Sequence, residues 1–115
     1  MNYDLQNRKS VVITTAGITR QFIAASITHI VCDGYLCDVY IEGNEKVTCS
    51  KLLKFFETEL ACCGFVWIHH DTLVNAKYIR QINNRKKEIV LTDNTKLKVS
   101  RRKMTALKRY FIDLH

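Results

Sequence analysis

The sequence predicts a mainly β fold with two helices, and three observations predict it. Short β-branched or alternating runs recur, with turn signals at intervals of roughly 8–12 residues. Only two segments, 51–62 and 101–114, repeat apolar residues at helical spacing. Strands and helices do not alternate, and neither a GxGxxG nor a P-loop occurs, which excludes a doubly wound nucleotide-binding domain. The 115 residues suit one domain. Its expected span is 8–115, after an N-terminal tail over 1–7.

Ser10-Val11-Val12-Ile13-Thr14-Thr15 is β-branched and reads as a strand. Ala16-Gly17 marks a turn, and 20–24 returns as the second strand of a hairpin. Residues 27–32 are a third apolar run, followed by the hairpin signal Asp33-Gly34. Along 35–41, Leu36, Asp38 and Tyr40 share one face, and Tyr35, Cys37, Val39 and Ile41 the other. Glu42-Gly43-Asn44 turns the chain into a strand over 46–49. The first helix is expected over 51–62, with Ser50 as its N-cap and Gly64 as its stop. Its core stripe is Leu52, Leu53, Phe56 and Leu60. Residues 65–68 read as a strand and 69–76 as a loop. Further strands are expected at 78–82, 88–91 and 96–99, with Lys96 and Lys98 outward and Leu97 and Val99 inward. The last helix covers 101–114, with Met104, Leu107, Phe111 and Leu114 inside and Arg102, Lys108, Arg109 and Asp113 outside.

Composition narrows the function. Apolar residues make up 47%, ordinary for a globular chain. No run reaches the ~18 apolar residues of a membrane span, and the N-terminus lacks a signal-peptide pattern, so a cytoplasmic location and no membrane partner are expected. The five cysteines are odd in number and form no CxxC, which favours reduced core thiols. Charge is distributed unevenly. Residues 1–76 carry 6 Lys/Arg against 8 Asp/Glu, whereas 77–115 carry 12 Lys/Arg against only Glu88, Asp93 and Asp113. The whole excess of the +7 chain thus lies in its last third, which points to a polyanionic partner on one face.

Val99-Ser100-Arg101-Arg102-Lys103 opens the last helix with three cations. A helix N-terminus is already positive, so such residues are unfavourable there unless an anion such as phosphate joins them. Neighbours on a first turn cannot all point one way, so their roles should divide. Arg can fork onto guanine while Lys supplies charge for phosphate. His69-His70-Asp71 offers base-edge readers, bases or metal ligands. A zinc set of Cys62, Cys63, His69 and His70 is set aside, because adjacent cysteines diverge by about 100° on a helix. No metal or cofactor is expected. His69 is read as structural and His70 as a DNA contact. Asn75 could cap a turn or bond a neighbouring loop, and a structural role is favoured. Lys77 and Arg80 could reach phosphate. The basic turn Asn84-Arg85-Lys86-Lys87 is balanced between a solvated tip and a DNA contact, and Trp67 between core and surface. Neither paired carboxylates nor a convincing nucleophile and base are present, so no enzyme is expected.

These residues are similar to a known pattern. Phe65-Val66-Trp67-Ile68-His69-His70-Asp71-Thr72-Leu73-Val74-Asn75, then Tyr78-Ile79 and Ile82, then Val90-Leu91-Thr92-Asp93-Asn94, then Leu97-Lys98-Val99-Ser100-Arg101-Arg102 resembles the LytTR DNA-binding domain of bacterial response regulators. The resemblance is strong over 65–102 and looser upstream. It implies an elongated array of short antiparallel sheets with small helices, which inserts loops into successive major grooves of double-stranded DNA and bends it. It implies a transcription regulator, with homodimers on direct repeats and a separate signalling or receiver protein as partners. By position it assigns base reading to Tyr35 beside Asp33-Gly34, to His70 and to Arg101. Backbone contacts fall to Arg102 and the nearby Lys103 and Lys98, and Lys77 and Arg80 could add theirs by charge alone. His69, Asn75 and Ser100 would shape the DNA-facing loops. A protein-interaction module of the same fold is the rival reading.

Departures are local. His69-His70-Asp71 stands where the family has His-Arg-Ser or His-Asn-Ser, which puts a carboxylate near phosphates. Binding is then expected to weaken as pH rises through the histidine range. Asp93-Asn94-Thr95 lacks the family's turn glycine, and no receiver domain accompanies the module. The chain is expected to act alone or as one domain of a longer protein.

Overall fold

The computed structural model describes residues 9–114; the expected tail over 1–7 lies outside the described residues. Among the described residues, ten strands form three antiparallel sheets in a body 43 × 37 × 24 Å across. Strands β1 (Ser10–Thr15) and β2 (Ile18–Ile23) make a hairpin. Ala16 (φ 53°) and Gly17 (φ 79°) form its two-residue turn, the both-positive pattern of type I′. A single 3₁₀ turn, Ala24–Ser26, leads into β3 (Ile27–Asp33), β4 (Leu36–Ile41) and β5 (Glu45–Cys49). Helix α1 (Leu53–Glu59) follows, then β6 (Phe65–His69) and β7 (Thr72–Asn75). These five strands pair in the order β5-β4-β3-β7-β6. A second 3₁₀ turn, Ala76–Tyr78, precedes β8 (Ile79–Asn83), β9 (Glu88–Leu91) and β10 (Lys96–Lys98), the three-stranded sheet. Helix α2 (Arg101–Leu114) ends the described chain.

Two apolar clusters lie on opposite faces of the five-stranded sheet. One joins Val11, Ile13, Ile30, Val39, Phe56, Leu60 and Leu73, tying the first hairpin and α1 to the sheet. The other joins Ile68, Val74, Ile89, Leu91, Val99, Met104 and Leu107, packing the small sheet and α2 beneath β6 and β7. Alternation along β6 divides its residues accordingly: Trp67 and Phe65 pack on the first cluster, Val66 and Ile68 on the second. Tyr78 Oη, 2.6 Å from both Ala25 O and Glu42 Oε2, ties the second 3₁₀ turn to the first and to the β4–β5 turn.

The expected strands and the last helix are present, and several details are corrected. Residues 69–76 are not a loop, because Thr72–Asn75 is a strand between β3 and β6. All four of its residues are buried, so it shows no polar alternation to read. The first helix is shorter than 51–62, and its N-cap position is Leu52 with no side-chain cap bond, not Ser50. Leu52 precedes the helix and is 54% exposed, so it leaves the core stripe. The reduced thiols hold for Cys49, Cys62 and Cys63, but Cys32 and Cys37 form a disulfide across the β3–β4 ladder. Directly opposed residues with Cα atoms 4.0 Å apart bring two sulfurs within bonding reach. Cys62 is exposed rather than in the core. The side chains of Asp113 and Leu114 lie outside those described.

Candidate nucleic-acid interface

Three loops meet at one end of the large sheet because backbone hydrogen bonds tie them there. The β3–β4 loop is Gly34-Tyr35, since Asp33 pairs with Leu36. Gly34 has φ 62° at the first central position, which fits a type II′ turn and leaves Tyr35 79% exposed at the tip. The adjacent β6–β7 turn carries His70 and Asp71. Cys32 N–H donates to Asp71 O at 2.9 Å, joining these two loops. Ser100 N–H donates to Ile68 O at 2.8 Å, which brings the start of α2 to the same place. Val99 N–H donates to Lys87 O at 2.8 Å, adding the basic β8–β9 turn.

Ser100 is the N-terminal cap of α2. Lys103 N–H lies 3.3 Å from its Oγ, and its carbonyl accepts from Lys103 (3.1 Å) and Met104 (3.2 Å). The first turn holds no acidic residue, while Arg101 and Arg102 are exposed. Positive dipole and positive side chains therefore add, with no carboxylate in that turn to offset them. Arg102 and Lys103 line a cleft of about 570 Å³ with His70, Ser100, Trp67 and Glu57. Arg101 is not in that lining, so the first turn does divide its cations between two directions. Trp67 Nε1 donates to Glu57 Oε2, giving the half-buried indole a polar partner at the cleft wall.

Side chains brace the β6–β7 turn. His69 Nδ1 is 2.9 Å from Asp71 Oδ1, and Thr72 Oγ1 donates to the same oxygen at 2.7 Å. Burial alone would raise the Asp71 carboxyl, but the Thr72 bond and the charges of His69 and His70 outweigh it and hold the group below its usual range. The His69 and His70 rings lie 4.4 Å apart. One donor atom from each of His69, His70 and Asp71 falls within 4.8 Å of the others, the one such trio among the described residues.

Other expected site residues lie elsewhere. Asn75 is at the opposite end of β7 from His70, where Nδ2 donates to Ile27 O at 3.0 Å and Oδ1 accepts from Lys77 N–H at 3.3 Å. Lys77 lines a second cleft with Cys62, Cys63 and Tyr110. The length of β6, about 17 Å for five residues, separates those cysteines from His69 and His70. Burial pushes the Cys63 thiol up to about 11, so it is no ready nucleophile. Arg80 lies beside Lys108, Phe111 and Ile112 on a third surface. Lys98 is exposed on β10, opposite Glu88 and two residues before Ser100. Arg85 and Lys86 gain weight from the Val99–Lys87 bond, a tertiary link that no sequence spacing displays.

A family model described as the LytTr DNA-binding domain matches residues 22–112. Among solved structures, the chain is similar to the LytTr DNA-binding domain of a methyl-accepting/DNA response regulator from Bacillus cereus. That likeness has a TM-score of 0.72 at 17% identity, over 90% of this chain and 96% of that one. No curated protein matches the sequence. No helix among the described residues is long and apolar enough to cross a membrane.

Proposed function

The chain belongs to the LytTR DNA-binding domain family, and from that premise we propose that it is a sequence-specific regulator that inserts loops into the major groove of double-stranded DNA. Membership accounts for DNA binding and transcription regulation in general. The finer reading is carried by one observation: the Tyr35 turn, the His70 turn and the cation-bearing start of α2 are held together by backbone hydrogen bonds. A groove about 12 Å wide can receive such loops. In this reading Arg101, His70 and Tyr35 meet base edges. Arg102, Lys103 and Lys98, joined by Arg85 and Lys86, bind phosphates. Lys77 and Arg80, on other surfaces, reach phosphate only where the duplex bends toward them. His69 and Ser100 fix the loops, and Asn75 fixes the far end of β7. Repeated half-sites and a homodimer on them belong to the same proposal, as does a separate signalling or receiver partner. Selection of bound duplexes from a random DNA pool tests it. An enriched, repeated motif is expected; no enrichment would favour the protein-interaction module instead.

A further inference from the structure

The geometry points to a binding site for a divalent transition-metal ion, Zn²⁺ or a chemical neighbour such as Co²⁺, on the turn His69-His70-Asp71. Cys62 and Cys63 take no part in it, because the fold places them in the cleft with Lys77 and Tyr110. The relevant set is different. Three donor atoms, two imidazole and one carboxylate, already lie within 4.8 Å of one another. Donors around a tetrahedral zinc at 2.0–2.2 Å sit about 3.4 Å apart. Reaching that geometry needs a swing of at most about 1.5 Å by exposed His70, and the His69 Nδ1–Asp71 Oδ1 hydrogen bond at 2.9 Å gives way to two bonds to the ion.

The backbone is fixed where the ligands need it fixed. Asp71 O is held by Cys32 N–H, and Ile68 O by Ser100 N–H, so the turn is clamped on both sides. Thr72 Oγ1 orients the Asp71 carboxylate, as second partners orient metal ligands. Two imidazoles favour zinc-like ions over Mg²⁺ or Ca²⁺, which prefer all-oxygen sets. Side chains of His69 and Asp71 remain 33% and 37% exposed, which leaves an ion open to a further ligand. Three protein ligands with one open position is the arrangement of a reactive zinc, not of a closed structural one. Both departures from the family pattern, His70 and Asp71, contribute donors.

His70 also lines the cleft with Ser100, Arg102 and Lys103. A bound dication would cancel the Asp71 charge there and add positive field. Resting on the proposed DNA reading, this makes duplex affinity rise with metal.

The test uses the full chain without a histidine tag. Co²⁺ is titrated alone and followed by its visible absorption, and Zn²⁺ by calorimetry. One ion per chain is expected. His70→Ala should weaken binding at least ~10-fold, Asp71→Asn should weaken it less, and Cys62→Ser with Cys63→Ser should leave it unchanged. Failure to saturate at one ion, equal binding by His70→Ala, or loss in the cysteine variant would overturn the site. Duplex affinity is then measured with and without Zn²⁺. A rise that His70→Ala abolishes supports the coupling, and metal binding without any rise overturns the coupling alone. Absence of duplex binding in every condition overturns the DNA reading and leaves the metal result standing on its own.

Discussion

Arg101 and Arg102 are neighbours in sequence but not in surroundings, because one residue along a helix is about 100° around it. Arg102 faces the cleft with His70 and Lys103, while Arg101 projects outside it. If Arg101 forks onto a guanine edge, Arg101→Ala should cost about 1–3 kcal/mol on the preferred duplex and relax one base position. Measured against a panel of single-base variants, an unchanged preference profile would remove it from the readers. His29 makes a different case, about stability rather than binding. It is 4% exposed, stacked on Tyr40 with ring centroids 4.2 Å apart, and bonded through Nδ1 to Thr28 Oγ1 at 2.9 Å. Burial lowers its pKa to about 4, with Asp93 pulling weakly the other way. The folded value is below the unfolded one, so the unfolded chain binds the extra proton. Stability is therefore complete above about pH 6.5 and falls as pH drops toward about 4, by at most about 3 kcal/mol. Urea midpoints at pH 7 and pH 4.5 should differ more for the native chain than for His29→Gln. Parallel shifts in the two would place the acid sensitivity elsewhere.

At the scale of elements, what could be read in advance depended on how many faces each element exposes. Strand β1 and helix α2 each keep one wet face, and their alternation or 3.6-residue period is plain in the sequence. Strand β7 has none, and four buried residues beside a histidine turn carry no period at all. The first helix is shorter than its sequence suggests, since Ser50 resembles a cap and Leu52 continues the apolar stripe, although tertiary packing begins only at Leu53. Local sequence likewise showed the loops but not their meeting, which depends on hydrogen bonds from Cys32 to Asp71 and from Ser100 to Ile68. The junction at Tyr78 is another such link, since its hydroxyl ties together two turns 36 and 53 residues away. Tyr78→Phe should leave Ala25 O and Glu42 without that donor and lower stability by about 1–2 kcal/mol. Chemical unfolding would show it as a shifted midpoint at constant slope, and no shift would mean water replaces the hydroxyl without loss.

Across the whole molecule, the fold gathers cations that the sequence only shows as an excess over 77–115. Lys98, Arg102 and Lys103 come from β10 and α2, and Arg85 and Lys86 from the turn that Val99 holds against them. Lys77, and Arg80 together with Lys108, are carried to other surfaces, so only part of the excess stands as a patch beside the start of α2. Net charge alone would produce salt-sensitive binding in any orientation. A patch produces a countable number of phosphate contacts. With about four or five contacts, log affinity for a short duplex should fall against log salt with a slope near −4, at about −0.9 per contact. Arg102→Ala should reduce that slope by about 1 on every duplex, preferred or not, because a phosphate contact carries no base information. Lys77→Ala and Arg80→Ala should leave the short-duplex slope unchanged. On a longer duplex they should reduce it only if the DNA curves round the domain, so the difference between the two lengths reads out bending. A slope near zero on both lengths would defeat the electrostatic assignment, and equal losses from Lys77→Ala and Arg102→Ala on the short duplex would show that the patch is not the binding face.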